Sequence, residues 1–375
     1  MRELTDQLIT WRRQFHQQPE ISHEEYKTTE KIRNILEEHD ITILDLPLKT
    51  GLIAEIGQGD TLIGVRSDID ALPIIEDTTL AYKSENEGAM HACGHDIHMA
   101  SILGVALLLK AEESQLNGRV RIIFQAAEEV GDGAIAFADS GALDDAKAII
   151  GYHNDPTLKV GEWRAKTGHM TSNVDRFVIK IEGVGAHAAM PQDCKDPSIV
   201  VAQLINSLQT VVSRNLAPYQ EGVVTIGRIS SGETWNVIPK EAELEGTIRS
   251  LDAEVRDKIE QRLRAICEGI AQQYEVKVDL EYKRLAKSVV NDEQLQNIAY
   301  EVAESVGYQV DVLPRALSIG EDFSGYQKVA PTHFAMIGSD SPYALHHPKY
   351  QPDEAILEKV PHYFVAFVKR LLEDA

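Results

Sequence analysis

The chain has 375 residues, enough for two hydrophobic cores rather than one. Its 59 acidic against 37 basic side chains leave a formal charge of −22, which repels phosphate backbones and anionic membrane surfaces and argues against nucleic acid and membrane partners. Hydrophobic residues at 43% and only three cysteines describe a globular protein without a disulfide framework, suited to a reducing compartment.

The charged start, Met1-Arg-Glu-Leu-Thr-Asp-Gln7, lacks an apolar signal core, and no stretch approaches the roughly 20 apolar residues of a membrane span. A cytoplasmic protein is expected. Leu4–Gln17 has helical spacing and stops before Pro19, with His16 placed to complement the helix dipole. Ser22 is expected to cap a second amphipathic helix that runs to about His39 on Tyr26, Ile32, Ile35 and Leu36.

Short apolar β-type runs follow, each ending in polar residues. Ile63–Ser67 leads into Asp68-Ile-Asp70, Val120–Phe124 into Gln125-Ala-Ala-Glu128-Glu129, and Ala148–Tyr152 into His153. Far downstream, Phe334–Gly338 precedes His346 and His347. Helical stretches at His98–Glu112 and Gly133–Ser140 intervene, the βαβ pattern of an α/β fold with a mostly parallel central sheet flanked by helices. Ligands of such sheets collect beyond the carboxyl ends of the strands, where Asp68, Asp70, Glu128, Glu129 and His153 stand.

The middle of the chain changes character. Arg176–Glu182 reads as a strand, Asp196-Pro197 opens a helix to about Asn215, and Gly222–Ile229 and Ala242–Arg249 read as two more strands. Asp252–Tyr274 is an amphipathic helix and Lys277–Tyr282 a last strand. This β-α-β-β-α-β order is the split βαβ of an inserted ferredoxin-like α+β domain. The predicted division is a catalytic domain of residues 1–172 and 287–375 and an inserted lid or dimerisation domain of residues 173–286. Cys267 shares an apolar helix face with Ile259, Leu263 and Ile270 and belongs to a core, whereas Cys194 lies incidentally in a polar loop.

The densest chemistry is Met90–Met99, which packs His91, Cys93, His95, Asp96 and His98 just ahead of an apolar helical run. Cys93-Gly-His95 sets a sulfur and an imidazole where one ion can be gripped. A polar helix start, with Asp96 as N-cap and incidental histidines, is the competing reading. Hydrolysing an amide at neutral pH needs an activated water, a base and a group to hold the oxyanion, and a dinuclear metal site supplies much of this. Candidate ligands are Cys93, His95, one of Glu128 and Glu129, His153, and His346 or His347. Adjacent glutamates point different ways, so one can hold metal while the other faces water as base. Taken alone, such a pair is more simply a solvated acidic turn.

Several motifs occur in a fixed order: Arg13-Gln-Phe-His16, Asp68-Ile-Asp-Ala-Leu-Pro73, His91-Ala-Cys-Gly-His-Asp96, Gln125-Ala-Ala-Glu-Glu129, Gly185-Ala-His-Ala-Ala189, Asn236-Val-Ile-Pro239, Gly246-Thr-Ile-Arg249, Glu321-Asp-Phe323 and Leu345-His346. With them the chain resembles, over essentially its whole length, the dinuclear metallo-amidohydrolases of the aminoacylase/carboxypeptidase family. It looks closest to the branch of hippurate hydrolases, indole-acetyl-amino-acid hydrolases and N-acetyldiaminopimelate deacetylases. The resemblance implies Cys93, His95, Glu129, His153 and His346 as ligands of two divalent ions, zinc or manganese first and cobalt or nickel next. It implies Glu128 as general base and proton shuttle, Asp70 as a residue orienting the metal site, and His187 on the scissile carbonyl oxygen. Asn236 and Arg249 would bind substrate, Arg249 through a free α-carboxylate. Their plainer readings are a turn former before Pro239 and a surface strand residue.

The implied activity is hydrolysis of small N-acyl amino acids, N-acetyl or aromatic-acyl, by a homodimer joined through the inserted domain. A dipeptidase or carboxypeptidase, an N-carbamoyl hydrolase, a hydrolase with Cys93 as nucleophile and a metal-poor binding protein are the alternatives. The chain departs from the family pattern at Ala126, where proline is usual, at Gln192, where a histidine is common, and at His347, where asparagine or serine is usual. Asp155 adds an acid close behind His153.

Overall fold

The computed structural model describes residues 2–373 and divides into two compact units. Thr171–Ser288 with Leu317–Gly320 form the second unit, and the rest of the chain the first. The first unit opens with helices α1 (Arg2–Gln17) and α2 (Tyr26–Glu38), then strands β1 (Thr42–Ile43), β2 (Leu52–Gly57) and β3 (Leu62–Asp68). Helix α3 (His95–Ala111), β4 (Arg119–Gln125), α4 (Gly133–Ala138), β5 (Ala146–Asp155), β6 (Glu162–Ala165) and β7 (Gly168–His169) follow. The second unit contains β8 (Asn173–Glu182), β9 (Ala186–His187), α5 (Pro197–Asn215), β10 (Gly222–Ser231), β11 (Val237–Ile238), β12 (Glu241–Ser250), α6 (Ala253–Tyr274) and β13 (Lys277–Arg284). The chain then completes the first unit with β14 (Val290–Asn291), α7 (Glu293–Ser305), β15 (Gln309–Val312), β16 (Thr332–Gly338) and α8 (Ile356–Glu373).

The main sheet has the order β1-β2-β4-β3-β5-β16-β6-β15, and its central strands β4, β3, β5 and β16 run parallel. Strands covered on both faces read as unbroken runs rather than alternating ones. Every residue of β3 and β16 is accordingly buried. Helix α3 is apolar nearly all round and packs against both α1 and α8. Gly104 permits this, because a Cβ there would meet Leu8 Cδ1 at 2.8 Å and Pro361 Cγ at 3.0 Å.

Two helix starts differ from the sequence reading. The N-cap of α3 is Gly94 at φ 89°, and Asp96 lies inside the first turn instead. Its carboxylate is taken by Arg12 Nε at 2.8 Å and His16 Nδ1 at 2.8 Å. Helix α2 starts at Tyr26 behind Glu25, while the Ser22 hydroxyl donates to Asp70 Oδ2 at 2.6 Å. His16 is buried between Asp96 and Glu76 rather than set at a solvated helix end. In each case a long-range charge partner outcompetes a local cap.

In the second unit the sheet order is β10-β12-β8-β13 with every neighbouring pair antiparallel, and two helices, α5 and α6, accompany it. This is the ferredoxin-like order. Residues of β12 alternate between buried and more exposed, the period of a strand with one covered face. Asp196 caps α5 by accepting from Ser198 N–H, with Pro197 at the first helical position. Cys267 lies in this core beside Ile259, Leu263 and Ile270. Among the described residues no helix is long and apolar enough to cross a membrane.

Candidate metal centre

Three strand ends and two loops of the first unit deliver the polar side chains. β3 ends on Asp68 with Asp70 just beyond, β4 leads into Glu128 and Glu129, and β5 carries His153. The turn before α3 supplies Cys93, the first residue of α3 is His95, and the loop after β16 supplies His346. Two of these places are conformationally unusual. Ala127 has φ 58° and donates its N–H to Glu25 Oε1 at 2.9 Å, a turn that leads into Glu128 and Glu129, which with His95 offer ligand atoms within 4.8 Å of one another. His346 has φ 64°, and its N–H is fixed to Ala92 O at 2.8 Å. Such left-handed residues persist where their surroundings over-determine them.

The side chains converge on one sulfur. Cys93, His95 and His153 offer ligand atoms within 4.8 Å of one another, and so do Cys93, Glu129 and His346. Cys93 Sγ is 3.4 Å from both His153 Nε2 and His346 Nε2, and His346 Nε2 is 3.7 Å from Glu129 Oε2. The tautomers suit ligation. His95 Nδ1–H donates to Asp70 O at 2.8 Å and His153 Nδ1–H to Asn154 O at 2.8 Å, which makes Nε2 the ring nitrogen that each turns to the cluster. His95 Nε2 and Glu129 Oε1 are buried and have no hydrogen-bond partner. Buried polar atoms are nearly always satisfied, so these two ask for a partner that protein groups do not supply. Thiolate, imidazole and carboxylate together fit a pair of first-row divalent ions.

Charge supports that fit. Burial alone would lower His95, yet Asp68, Asp70 and Glu129 hold it up at about 10. Burial raises Glu129 to about 7, against the pull of His95, and lifts Glu128 well above the carboxylate range with help from Glu321 and Glu129. The Cys93 thiol is pushed up by burial and then by Glu129, Glu128 and Asp68. Among protein groups alone the pocket holds more acid than base, the condition that draws in cations.

Behind the ligands lies a buried polar layer that only partly shows in the sequence. Arg66 reaches Gln125 Oε1 at 2.9 Å, Asp68 Oδ2 at 2.6 Å, and Glu321 Oε1 and Asp322 Oδ1 at 3.1 Å each. Gln125 Nε2 donates to both Asp322 oxygens, and the Asp322 N–H faces Glu128 Oε1 at 3.4 Å. His98 donates to Asp68 Oδ1 at 2.6 Å and accepts from Asn154 N–H at 3.0 Å, so both ring nitrogens are used and His98 is no ligand. Asn154 in turn donates to Cys93 O at 2.7 Å, and a Cβ on Gly94 would strike its Nδ2 at 2.4 Å. Strand-end position flagged Asp68, and the Glu321-Asp-Phe323 motif flagged the acids. Nothing local flagged Arg66 or Asn154.

Asp70 Oδ1 lies 3.4 Å from His95 Nδ1, and Asp70 Oδ2 accepts from Glu129 N–H at 3.0 Å, so this one carboxylate touches both ligand segments. His347 belongs to no donor cluster among the described residues. It stacks on Tyr343 at 4.7 Å and accepts from Lys349 N–H at 3.0 Å. Asp155 Oδ1 accepts from Thr157 N–H at 2.8 Å and from its hydroxyl at 2.7 Å.

The remaining candidates belong to the second unit. His187 on β9 pairs with Val237 on β11, and Ala188 N–H donates to Asn236 O at 3.1 Å, so His187 and Asn236 share one ribbon. His187 Nδ1 accepts from Ala189 N–H at 3.1 Å, which leaves Nε2–H as a donor. Arg249 is on a different sheet, in β12 opposite Val174. Its guanidinium is half-buried and donates to Thr247 Oγ1 and to Ile248 O at 3.0 Å rather than to a carboxylate.

The chain is similar to known proteins over most of its length. The model of Peptidase family M20/M25/M40 matches residues 64–370. An N-acetyl-L-cysteine deacetylase of Bacillus subtilis (strain 168) is 43% identical over 373 residues, covering 99% of this chain and 89% of that protein. An N-acetyldiaminopimelate deacetylase of Geobacillus sp. (strain WCH70) is 34% identical over 366 residues, covering 96% of both. The crystal structure of a dinuclear metal-binding M20 peptidase of Bacillus subtilis superposes with a TM-score of 0.88 at 40% identity and full coverage of both chains.

Proposed function

The chain belongs to peptidase family M20/M25/M40, and from that membership we propose a metal-dependent amidohydrolase that cleaves N-acyl amino acids to a carboxylate and a free amino acid. N-acetyl amino acids are the first substrates to try, because two of the similar proteins named above are deacetylases. The observation that carries the reading is the shared sulfur. Cys93 joins two separate ligand sets, one with His95 and His153 and one with Glu129 and His346, as a two-ion site requires. Zinc or manganese is favoured by the donor set, with cobalt and nickel next.

Such a metal pair supplies Lewis acidity, lowering the pKa of a water and polarising a carbonyl. The protein's own groups do the rest. Glu128 takes the water's proton and returns it to the leaving amine, a shuttle helped by burial beside Glu321 and Asp322, which strengthens its hold on a proton. Asp70 fixes His95 and the Glu129 backbone in place. His187 offers its Nε2–H to the scissile carbonyl oxygen and Asn236 assists in binding. Arg249, without a carboxylate partner of its own, takes the substrate's α-carboxylate. The active form is a homodimer built through residues 173–286. Three unpaired cysteines fit a cytoplasmic setting.

The test is metal add-back. Protein stripped with a chelator is incubated with zinc, manganese, cobalt or nickel and assayed against N-acetyl amino acids, with metal content measured in parallel. Hydrolysis restored by one of these ions at about two per chain is expected. Fewer than one bound ion, with no hydrolysis under any of them, overturns the reading.

A further inference from the structure

The three tryptophans are placed very differently. Trp163 is 0% exposed and Trp11 9%, but Trp235 is 92% exposed. It stands in the turn leading into β11, beside Asn236 and two residues before the Val237 that pairs with His187. Its neighbours on the ribbon repeat the pattern. Val184 and Val237 are each 50% exposed and Met190 is 45% exposed.

The patch is held in place. Met190 N–H donates to His187 O at 2.8 Å, Val184 pairs with Lys195, and the Thr234 hydroxyl donates to Asn236 Oδ1 at 3.3 Å. The His187 Nε2–H donor and four exposed large apolar side chains therefore share the β9–β11 ribbon and the turns that flank it. A few polar groups, His187 and Asn236 among them, beside several large apolar side chains are the composition of a small-molecule site.

We propose that Trp235, with Val184, Met190 and Val237, forms an apolar wall that grips the acyl chain of the substrate, so that the enzyme favours acyl groups larger than acetyl. The proposal rests on the assignment of His187 to the scissile carbonyl oxygen. That oxygen and the first atom of the acyl chain are bonded to the same carbon, so a chain held at its oxygen by His187 starts beside the imidazole and runs over its surroundings. The single methyl of an acetyl group reaches little of a wall this size, whereas a hexanoyl or benzoyl group covers it. Trp235 is thus a specificity-determining residue, and its removal acts on binding of the acyl chain.

The experiment compares N-acetyl-, N-hexanoyl- and N-benzoyl-leucine as substrates of the metal-loaded full-length protein, its W235A variant and its W235F variant. In the wild type, KM for the two larger substrates is about tenfold below that for N-acetyl-leucine. W235A raises KM for the larger substrates about tenfold, abolishing the preference, with the loss in KM rather than kcat, and W235F retains the preference. In parallel, acrylamide quenches the red-edge emission of Trp235 in the free enzyme, and saturating hexanoate protects it. Equal KM across the three substrates in the wild type, or a uniform rise for all three in W235A, overturns the proposal. So does an indole shielded in the free enzyme that becomes quenchable only when dilution separates the subunits, which makes Trp235 a contact between copies. Hydrolysis with indifferent KM refutes this proposal alone, whereas no hydrolysis of any of the three refutes the amidohydrolase reading beneath it.

Discussion

The two units treat their functional side chains in opposite ways. In the first unit Asp68, Asp70, His95, His98 and Arg66 are at most 1% exposed and held by one another before any substrate arrives. In the second, His187 and Asn236 are exposed, and Arg249 has no carboxylate partner in its hydrogen bonds. The first arrangement resembles a pre-organised reaction centre, where charged groups are fixed before reaction and little rearrangement is left to do. The second leaves its groups open to solvent, where a ligand reaches them. The division predicts that changes in the first unit strike turnover or folding, and that changes in the second strike binding.

The most severe test of that division is E128Q. Glutamine keeps the shape of Glu128 and cannot take a proton, so kcat should fall by about 10³ or more while two ions per chain remain on elemental analysis. A variant with full activity breaks the assignment of Glu128. Next is R66M. Arg66 is the cation among Asp68, Glu321 and Asp322, all of them buried, and methionine leaves three carboxylates facing one another. Breaking a buried ion network by removing one partner costs about 3–5 kcal/mol, to be read from urea unfolding. The contrasting variant is R228M, whose partners Glu243 and Glu245 lie on an exposed strand face of the second unit. Its unfolding midpoint should not move, as exposed pairs contribute little.

What the sequence made legible follows the same line. The parallel core was readable because strands buried on both faces are apolar runs, as Leu62–Val65 and Phe334–Ile337 are. The ferredoxin-like unit was readable because one-sided burial leaves the period-2 and period-3.6 patterns seen in β12 and α6. Cys93, His95, Glu129, His153 and His346 stood out by residue type and by motif order, and the fold brings them together. The layer beneath them was less visible. Asp96 looked like a cap because caps are judged from neighbours in sequence, while its partner Arg12 lies far back in α1. Arg66 gave no hint at all, since an arginine inside an apolar strand signals nothing until Glu321 and Asp322 arrive from the far end of the chain. Buried charge pairing has no periodicity, so it is the part of a site that sequence patterns carry least well.

Arg249 sharpens the comparison from the binding side. Arg249→Ala should raise KM about tenfold for N-acyl amino acids, the worth of one charge-assisted pair, and leave kcat much less affected. The same substrates with the α-carboxylate blocked as an amide should show no difference between the variant and the wild type. A loss confined to kcat would move Arg249 from recognition into chemistry.

The smallest effect separates burial from function inside the first unit. His333 is as buried as His95, but it has no acid beside it. Its ring stacks on Trp163 at 6.0 Å, and its Nε2–H donates to Gln296 Oε1 at 3.1 Å. Burial alone lowers its pKa to about 3. An unfolded histidine titrates near about 6.5, so between those values the unfolded chain binds a proton that the folded chain refuses. The contribution of His333 to stability is therefore complete above the unfolded pKa and is lost as pH falls toward the folded one. Between pH 7.5 and 6 that loss is about 1 kcal/mol. It should show as a stability gap between wild type and H333Q that narrows by this amount on acidification, the other titrating groups cancelling in the difference. A gap constant with pH would mean that the folded chain holds the His333 proton no differently from the unfolded one, and a gap that widens would mean that it keeps a proton as His95 does. Burial without an acid partner would then fail as the feature that tells the two histidines apart.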